Sequence, residues 1–286
     1  MKVLSLFDGI SCGMIALDRA GINVDEYVAY EIDKYAIKIS QKNYPAIKHC
    51  GSVLGANFKE YFGFDLLIGG SPCQDLCSCG SRKGLSGQKS SLFFEYVRAL
   101  KEVLPKYFLL ENNYSMTKEN KNKISEILGC EPILIDSSLV SAQSRKRLYW
   151  TNIPINNMPN DKGLFLKDIV VDRKDKEGYN CTQRVLNKVE GTLAKEKARK
   201  NTRTLNQKSK CLMCGQNISN TGATNIFYED SKDFFIPTPV ECERLQTIPD
   251  NYTDGISNTQ RYKCIGNGWT VDVIAHIFSG LKGEVI

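Results

Sequence analysis

Histidine is nearly missing from this chain: His49 and His276 are the two present among 286 residues. Imidazole is the usual proton carrier near neutral pH, so acid–base chemistry here falls to carboxyl and thiol groups. The same scarcity removes the paired His ligands of many zinc sites. No apolar stretch approaches the roughly 20 residues that cross a bilayer, so no membrane association is expected. The opening run Met1-Lys2-Val3-Leu4 enters a strand-like segment directly, with no long apolar leader. The eleven cysteines are therefore expected to be reduced, cytoplasmic thiols and not a secreted disulfide framework.

Acidic charge is scarce in one segment. Between Asp172 and Lys210 twelve Lys and Arg stand against five acids, a surplus of +7 that leaves the rest of the +6 protein at −1. Such a block is either a solvated face or the footprint of a polyanion. Ahead of it, short β-like and helix-like runs alternate. Residues 3–7, 27–31, 65–68, 107–110, 132–135 and 147–152 read as strands, and 14–20, 33–43, 92–104 and 118–128 as helices. The helix over 92–104 rests on Phe93, Val97, Leu100 and Leu104 at helical spacing, with Pro105 as its stop. This is the layout of a doubly wound α/β fold with a mostly parallel sheet. After Pro154 the alternation fades until Phe234, and helices are expected again over 239–246 and 270–281. The expected division is a catalytic α/β domain at 1–154, a smaller unit at 155–235, and a segment at 236–286 that returns to the first domain.

Gly69-Gly70-Ser71-Pro72-Cys73-Gln74 closes the apolar run 64–68 and places a thiol where a strand opens into a glycine-rich loop. A cysteine there is reachable as a thiolate nucleophile, although a lone Pro-Cys pair is more often a buried structural element. Leu109-Leu110-Glu111-Asn112 ends another strand of the same sheet, so Cys73 and Glu111 are expected on one carboxyl edge, where open α/β sheets hold ligands. A thiol and a carboxyl group together activate a pyrimidine: sulfur adds to C6, the acid bonds N3, and C5 becomes nucleophilic. Gln143-Ser144-Arg145-Lys146-Arg147 carries two arginines at alternate positions entering a strand, which places both on one face. They suit a phosphate and a base carbonyl, or else a salt-bridged edge strand. Phe7-Asp8-Gly9-Ile10-Ser11-Cys12-Gly13 lies between the first strand and first helix, and Glu31 closes the second strand, where a carboxylate accepts ribose hydroxyls. Together they suggest a nucleoside-bearing cofactor.

The order Phe7-Asp8-Gly9, Glu31, Gly70-Ser71-Pro72-Cys73-Gln74, Glu111-Asn112, Gln143-x-Arg145-x-Arg147, Glu243-Arg244-Leu245-Gln246 to Pro249-Asp250, and Ile265-Gly266-Asn267 resembles the cytosine-C5 DNA methyltransferase family at both ends of the chain. The short first loop and the stretch 85–95 look like the branch with the de novo vertebrate enzymes and many phage proteins. The resemblance implies a Rossmann-like class I methyltransferase fold with a target-recognition region at 155–235. It implies S-adenosylmethionine as donor, Cys73 as nucleophile, Glu111 as the N3 partner, and Arg145 and Arg147 as holders of base and phosphate. By the same likeness Phe7 lies near the adenine, Glu31 binds the ribose, and Asn267 serves the donor's amino-acid end. Asp8, Gly9, Ile10, Ile32, Ser52, Val53, Gly70 and Pro72 complete the implied cofactor side. Implied DNA contacts are Gln74, Ser78, Arg82, Lys83, Gln143, Arg184 and Arg203. The implied partner is double-stranded DNA, with a cognate restriction endonuclease as a further candidate, and the implied state is a monomer in the cytoplasm of a bacterial or phage-infected cell.

The chain departs from the family pattern at Asn113 after Glu111-Asn112, at Ser11-Cys12 in the first loop, at Ser52 where an acid is frequent, and at Gly268-Trp269-Thr270. A duplex cytosine must leave the stack to be reached, and the loop at 75–88 has the glycines and serines to close over it, with Arg82 and Lys83 at hand for the backbone. No metal is expected: Cys77-x-Cys79 and Cys211-Leu212-Met213-Cys214 lack a second paired set. A zinc deaminase needs His-x-Glu and Pro-Cys-x-x-Cys, whereas His49 precedes Cys50-Gly51 and Pro72-Cys73 precedes Gln74-Asp75-Leu76-Cys77. A tRNA cytosine-C5 methyltransferase and a catalytically silent DNA-binding paralogue remain as alternatives.

Overall fold

A computed structural model of the chain describes residues 1–71, 92–172, 202–214, 226–228 and 234–284. Pro72, Cys73, Gln74, Ser78, Arg82, Lys83 and Arg184 lie outside the described residues, as do Cys77, Cys79 and most of the basic block. The chain forms two compact units, one of Met1–Ile135, Lys146–Met158 and Ile274–Ile286, the other of Asp136–Arg145 and Pro159–Val273.

The first unit is built on a seven-stranded sheet. Its strands are β1 (Lys2–Leu6), β2 (Glu26–Tyr30), β3 (Lys48–His49), β4 (Leu66–Gly69), β5 (Tyr107–Asn113), β6 (Ile133–Asp136) and β7 (Lys146–Thr151), in the order β3-β2-β1-β4-β5-β7-β6. β2, β1, β4 and β5 are parallel, and β7 runs antiparallel beside β5. Val3 to Leu6, Leu66 to Ile68 and Tyr107 to Leu110 are buried without alternation, as strands covered on both faces must be. The registers Leu6↔Tyr30 and Leu6↔Gly69 set the carboxyl ends of β1, β2 and β4 level, while β5, paired Gly69↔Leu110, runs on to Asn113. Strand order reverses between β1 and β4, which opens a crevice at that edge.

Helices α1 (Cys12–Ala20), α2 (Lys34–Asn43), α3 (Leu92–Val103) and α4 (Lys118–Leu128) have local causes. Asp33 caps α2 by accepting from the Tyr35 N–H, and Thr117 caps α4 by accepting from Asn120. Gly21 and Gly129 end α1 and α4 in the left-handed conformation. α3 buries Phe93, Tyr96, Val97 and Val103, but it stops one residue short of the expected end. Leu104, disfavoured in a helix because Pro105 follows it, turns out with φ 48° and is 63% exposed. Gly69 lets α3 approach β4 closely: a Cβ there would stand 3.0 Å from both the Leu6 carbonyl oxygen and the Tyr96 ring. The core on this side joins Leu4, Leu6, Leu67, Phe93, Tyr96, Phe108, Leu110 and Trp150, with the Trp150 indole N–H donating to Ser125 Oγ at 3.0 Å.

The second unit carries β8 (Thr202–Thr204), β9 (Ile226–Tyr228) and β10 (Phe234–Phe235) in a small sheet, followed by α5 (Pro239–Leu245) and α6 (Asn258–Asn267). Thr238 and Glu241 form a reciprocal capping box at the start of α5, with Pro239 in the first turn. Glu243 is fully buried, and its carboxylate accepts from the backbone N–H of Asn251 and of Thr253 at 2.8 Å, from the Thr253 hydroxyl, and from Arg261 Nη2 at 3.1 Å. Arg244 pairs with Asp250 at 2.6 Å. The Glu-Arg-Leu-Gln to Pro-Asp run is thus a folding element of this unit. A last helix, α7 (Val271–Phe278), follows.

Candidate active site

The loops that follow β1 to β4, the end of β5 and the start of β7 lie at the carboxyl edge of the first sheet. The loop after β1 is tightly curled: Phe7, Gly9 and Ser11 have φ of 59°, 61° and 60°. A bulky residue such as Phe7 seldom adopts this conformation, and such strain persists only where the surroundings fix it. Asp8 supplies the brace. Its carboxylate accepts from Ser5 Oγ at 2.6 Å, from Tyr27 Oη at 2.7 Å and from Ser11 Oγ. Burial raises the Asp8 pKa above its ordinary 3.8, and the Ser11, Ser5 and Tyr27 hydroxyls pull it back. Burial also raises the Tyr27 phenol, helped by the adjacent Asp8 charge. From Ser11 the network continues to Ser40 Oγ and then to His49 Nε2 at 2.9 Å. Burial lowers the His49 pKa below its ordinary value, against the pull of Asp8 and Glu31. Ile10 is 1% exposed and packs inward.

Glu31 closes β2 and ties the loops together. Its Oε2 accepts the Gly9 N–H at 2.8 Å, and Oε1 accepts those of Ile32 and Asp33 at 2.7 and 2.8 Å. A carboxylate has further lone-pair sites, so Glu31 retains acceptor capacity. Beside it Ile32 is 77% exposed, an apolar surface that a heterocycle would cover. Among the described residues nothing lies within 4 Å of a Cβ position at Gly9. After β3, Ser52 is exposed with its Oγ accepting from the Leu54 N–H, while Val53 is buried. A carboxylate with remaining acceptor sites, an exposed apolar side chain and an open glycine backbone fit a nucleoside carrier such as S-adenosylmethionine.

At the next strands, β5 continues past its expected end to Asn113. In the antiparallel register Glu111 faces Tyr149 and Asn113 faces Arg147, which makes Glu111 and Arg147 diagonal neighbours on one face. Arg147 Nε lies 2.8 Å from Glu111 Oε1, and both side chains are largely enclosed. Asn112, on the opposite face and 2% exposed, donates through Nδ2 to Ser71 Oγ at 3.2 Å and to the Ser71 carbonyl at 3.3 Å. That bond holds β5 to the segment leading into Pro72-Cys73, and the sequence had assigned Asn112 no task. Ser40 was also missed; a serine inside a helix with its hydroxyl turned inward is the signal available.

Arg145 does not share the Arg147 face. β7 begins at Lys146, so the two-residue spacing does not run along one strand, and Arg145 belongs to the second unit. There it is 5% exposed, bonded to the carbonyls of Leu212, Gly266 and Gly268. Gln143 is fully buried beside it and not presented to solvent: Nε2 donates to the Leu245 carbonyl and Gln246 Oε1, and Oε1 accepts the Leu212 N–H. Asn267 is exposed at the end of α6. Arg203 lies half-buried on β8, donating to the Thr202 carbonyl. Among the described residues no group of three or more His, Cys, Asp and Glu is placed to hold a metal ion. Nor is any helix there long and apolar enough to cross a membrane.

A family model described as C-5 cytosine-specific DNA methylase matches residues 1–283. The chain belongs to this family. It is 34% identical over 174 residues to the orphan methyltransferase M.SPRI of Bacillus phage SPR, a match of 57% of this chain to 40% of that one. It is 24% identical over 313 residues to the type II methyltransferase M.NlaX of Neisseria lactamica, covering 99% of this chain and 97% of that enzyme. The chain thus matches well under half of the phage relative's length. Among solved structures it resembles the Dnmt2 methyltransferase of S. pombe, with TM-score 0.80, 20% identity and full coverage of both chains. It also resembles the methyltransferase EhMeth of Entamoeba histolytica, with TM-score 0.82, 20% identity and coverage of 100% and 99%. The Rossmann-like, doubly wound fold expected from the sequence is the fold observed.

Proposed function

We propose that this C-5 cytosine methylase family member transfers a methyl group from S-adenosylmethionine to C5 of a cytosine flipped out of double-stranded DNA, through a covalent bond between Cys73 and C6. The observation that carries this reading is the Glu111–Arg147 pair on β5 and β7, one strand from the segment that leads to Cys73. The thiolate adds to C6 while Glu111, as the acid, donates a proton to N3, so electron density gathers at C5, which takes the methyl group as its bond to the donor sulfur breaks. Arg147 holds Glu111 in place and would meet the base carbonyl once a cytosine enters. After transfer the C5 proton leaves to a base and the sulfur–C6 bond breaks, which restores the thiolate and the aromatic ring. When bound, the donor supplies an electron-poor methyl carbon. Phe7, Ile32 and Val53 would flank its adenine, Glu31 its ribose, and Asn267 its amino-acid end, with Asp8 acting as a brace from behind. Residues 155–235 are the proposed target-recognition region, and their basic surplus suits a phosphate backbone.

The test is methyl transfer from labelled donor into plasmid DNA and into tRNA, followed by bisulfite mapping of the product. Wild-type protein is expected to label DNA at cytosine C5. Cys73→Ser is expected to lose turnover and keep most of its DNA binding. Full turnover in that variant would sink the covalent route, and labelling of tRNA alone would move the substrate class.

A further inference from the structure

Arg145 and Arg147 look interchangeable in sequence, and the second unit gives Arg145 a task of its own. Its Nη1 donates to the Leu212 carbonyl at 3.1 Å and to Cys211 Sγ at 3.4 Å. Its Nη2 donates to the Gly268 carbonyl at 3.0 Å and the Gly266 carbonyl at 3.2 Å. Those four bonds occupy both terminal nitrogens. Two of the acceptors cluster where α6 ends, the place where a helix leaves carbonyls without intrahelical partners and carries partial negative charge. A cation suits that end, and a planar guanidinium spans carbonyls on two separate segments where an ammonium ion would serve one point.

The neighbours point the same way. Gln246, fully buried, donates through Nε2 to the carbonyls of Ile265 and Gly268 at 2.9 and 3.0 Å, while Gln143 Oε1 accepts the Leu212 N–H at 2.7 Å. Gly266 is glycine because the other segment lies against it. A Cβ there would stand 2.6 Å from the Cys214 nitrogen and the Met213 carbonyl carbon, and 2.7 Å from the Met213 oxygen. Between the carbonyls of Gly266 and Gly268 the exposed Asn267 is held out.

We infer that Arg145 is a positioning residue, a staple that fixes the Gly266–Gly268 turn against the segment from Cys211 to Cys214 and so sets how Asn267 is presented, and that it does not contact phosphate or base. The inference rests on the proposed reading of Asn267 as a donor contact. It predicts that loosening the staple weakens donor binding even with no nucleic acid present.

The experiment titrates S-adenosylmethionine into the full-length protein without DNA and compares wild type, Arg145→Lys and Gly266→Ala, with Arg244→Lys as a control for general softening of the unit. The two staple variants are expected to bind the donor roughly tenfold more weakly. Arg145→Lys should keep the wild-type salt dependence of DNA binding. Unchanged donor affinity with a shallower salt slope would identify a phosphate contact and overturn the inference. An equal loss in Arg244→Lys would overturn it too. If wild-type protein binds no donor, the proposed function fails, and amide exchange decides the staple separately. Joint loss of protection over 211–214 and 265–270 in Arg145→Lys supports it, and unchanged exchange there refutes it.

Discussion

The edge around Glu111 and the interior around Gln246 are built from the same kinds of polar side chain to opposite ends. At the edge, Glu111 meets Arg147 across the β5–β7 pairing. In the interior, Gln143, Arg145 and Gln246 are bonded on almost every side to backbone groups, and Gln246 also accepts from the Thr270 hydroxyl at 2.8 Å. The first joins two side chains of opposite charge on neighbouring strands; the second ties side chains to backbone groups. Polar character in a motif therefore does not separate chemistry from architecture. The inventory of partners does.

The sharpest way to break this contrast is Glu111→Gln, which keeps the shape and removes the acid. Activity is expected to fall roughly 10²–10⁴-fold, with thermal stability close to wild type, as read by initial rates and a melting curve. Retained turnover would place Glu111 among the structural groups. Gln246→Ala should do the reverse. It leaves buried carbonyls and a hydroxyl without partners, so unfolding in urea should come earlier by about 2–3 kcal/mol. A variant as stable as wild type would show that the interior network is dispensable. The smallest effect is expected at His49, between the two extremes. Burial holds its folded pKa below the ordinary 6.5, opposed by Asp8 and Glu31. The unfolded chain then binds the proton first on acidification, so the contribution of His49 is full above pH 6.5 and is lost as pH falls through 6.5 toward the lower folded value. His49→Gln should flatten the stability profile as pH falls from 6.5, and an unchanged slope there would clear His49 of the effect.

Much of the first unit was legible because its strands are continuous apolar runs and α3 carries Phe93, Val97 and Leu100 at helical spacing ahead of Pro105. α6 was not seen. Its buried positions include Arg261, Tyr262 and Cys264, so the apolar period that announces a helix is absent. β3 is two residues long, too short for any alternation. The Glu111–Arg147 meeting was half legible: the strand ends were readable, whereas the antiparallel register that brings the two side chains together depends on tertiary pairing. Arg145 was misplaced because alternate residues share a face only inside a strand, and the strand starts one residue later. Nothing local marks Gly266 as a contact glycine; its neighbours at Met213 and Cys214 are distant in sequence.

The hydroxyl cage around Asp8 has a kinetic corollary. Ser5, Ser11 and Tyr27 hold the curled turn from within, so the turn has its final shape before any visitor arrives. Association should then proceed as docking onto a rigid seat, with little of the incoming molecule's affinity lost to ordering the backbone beneath it.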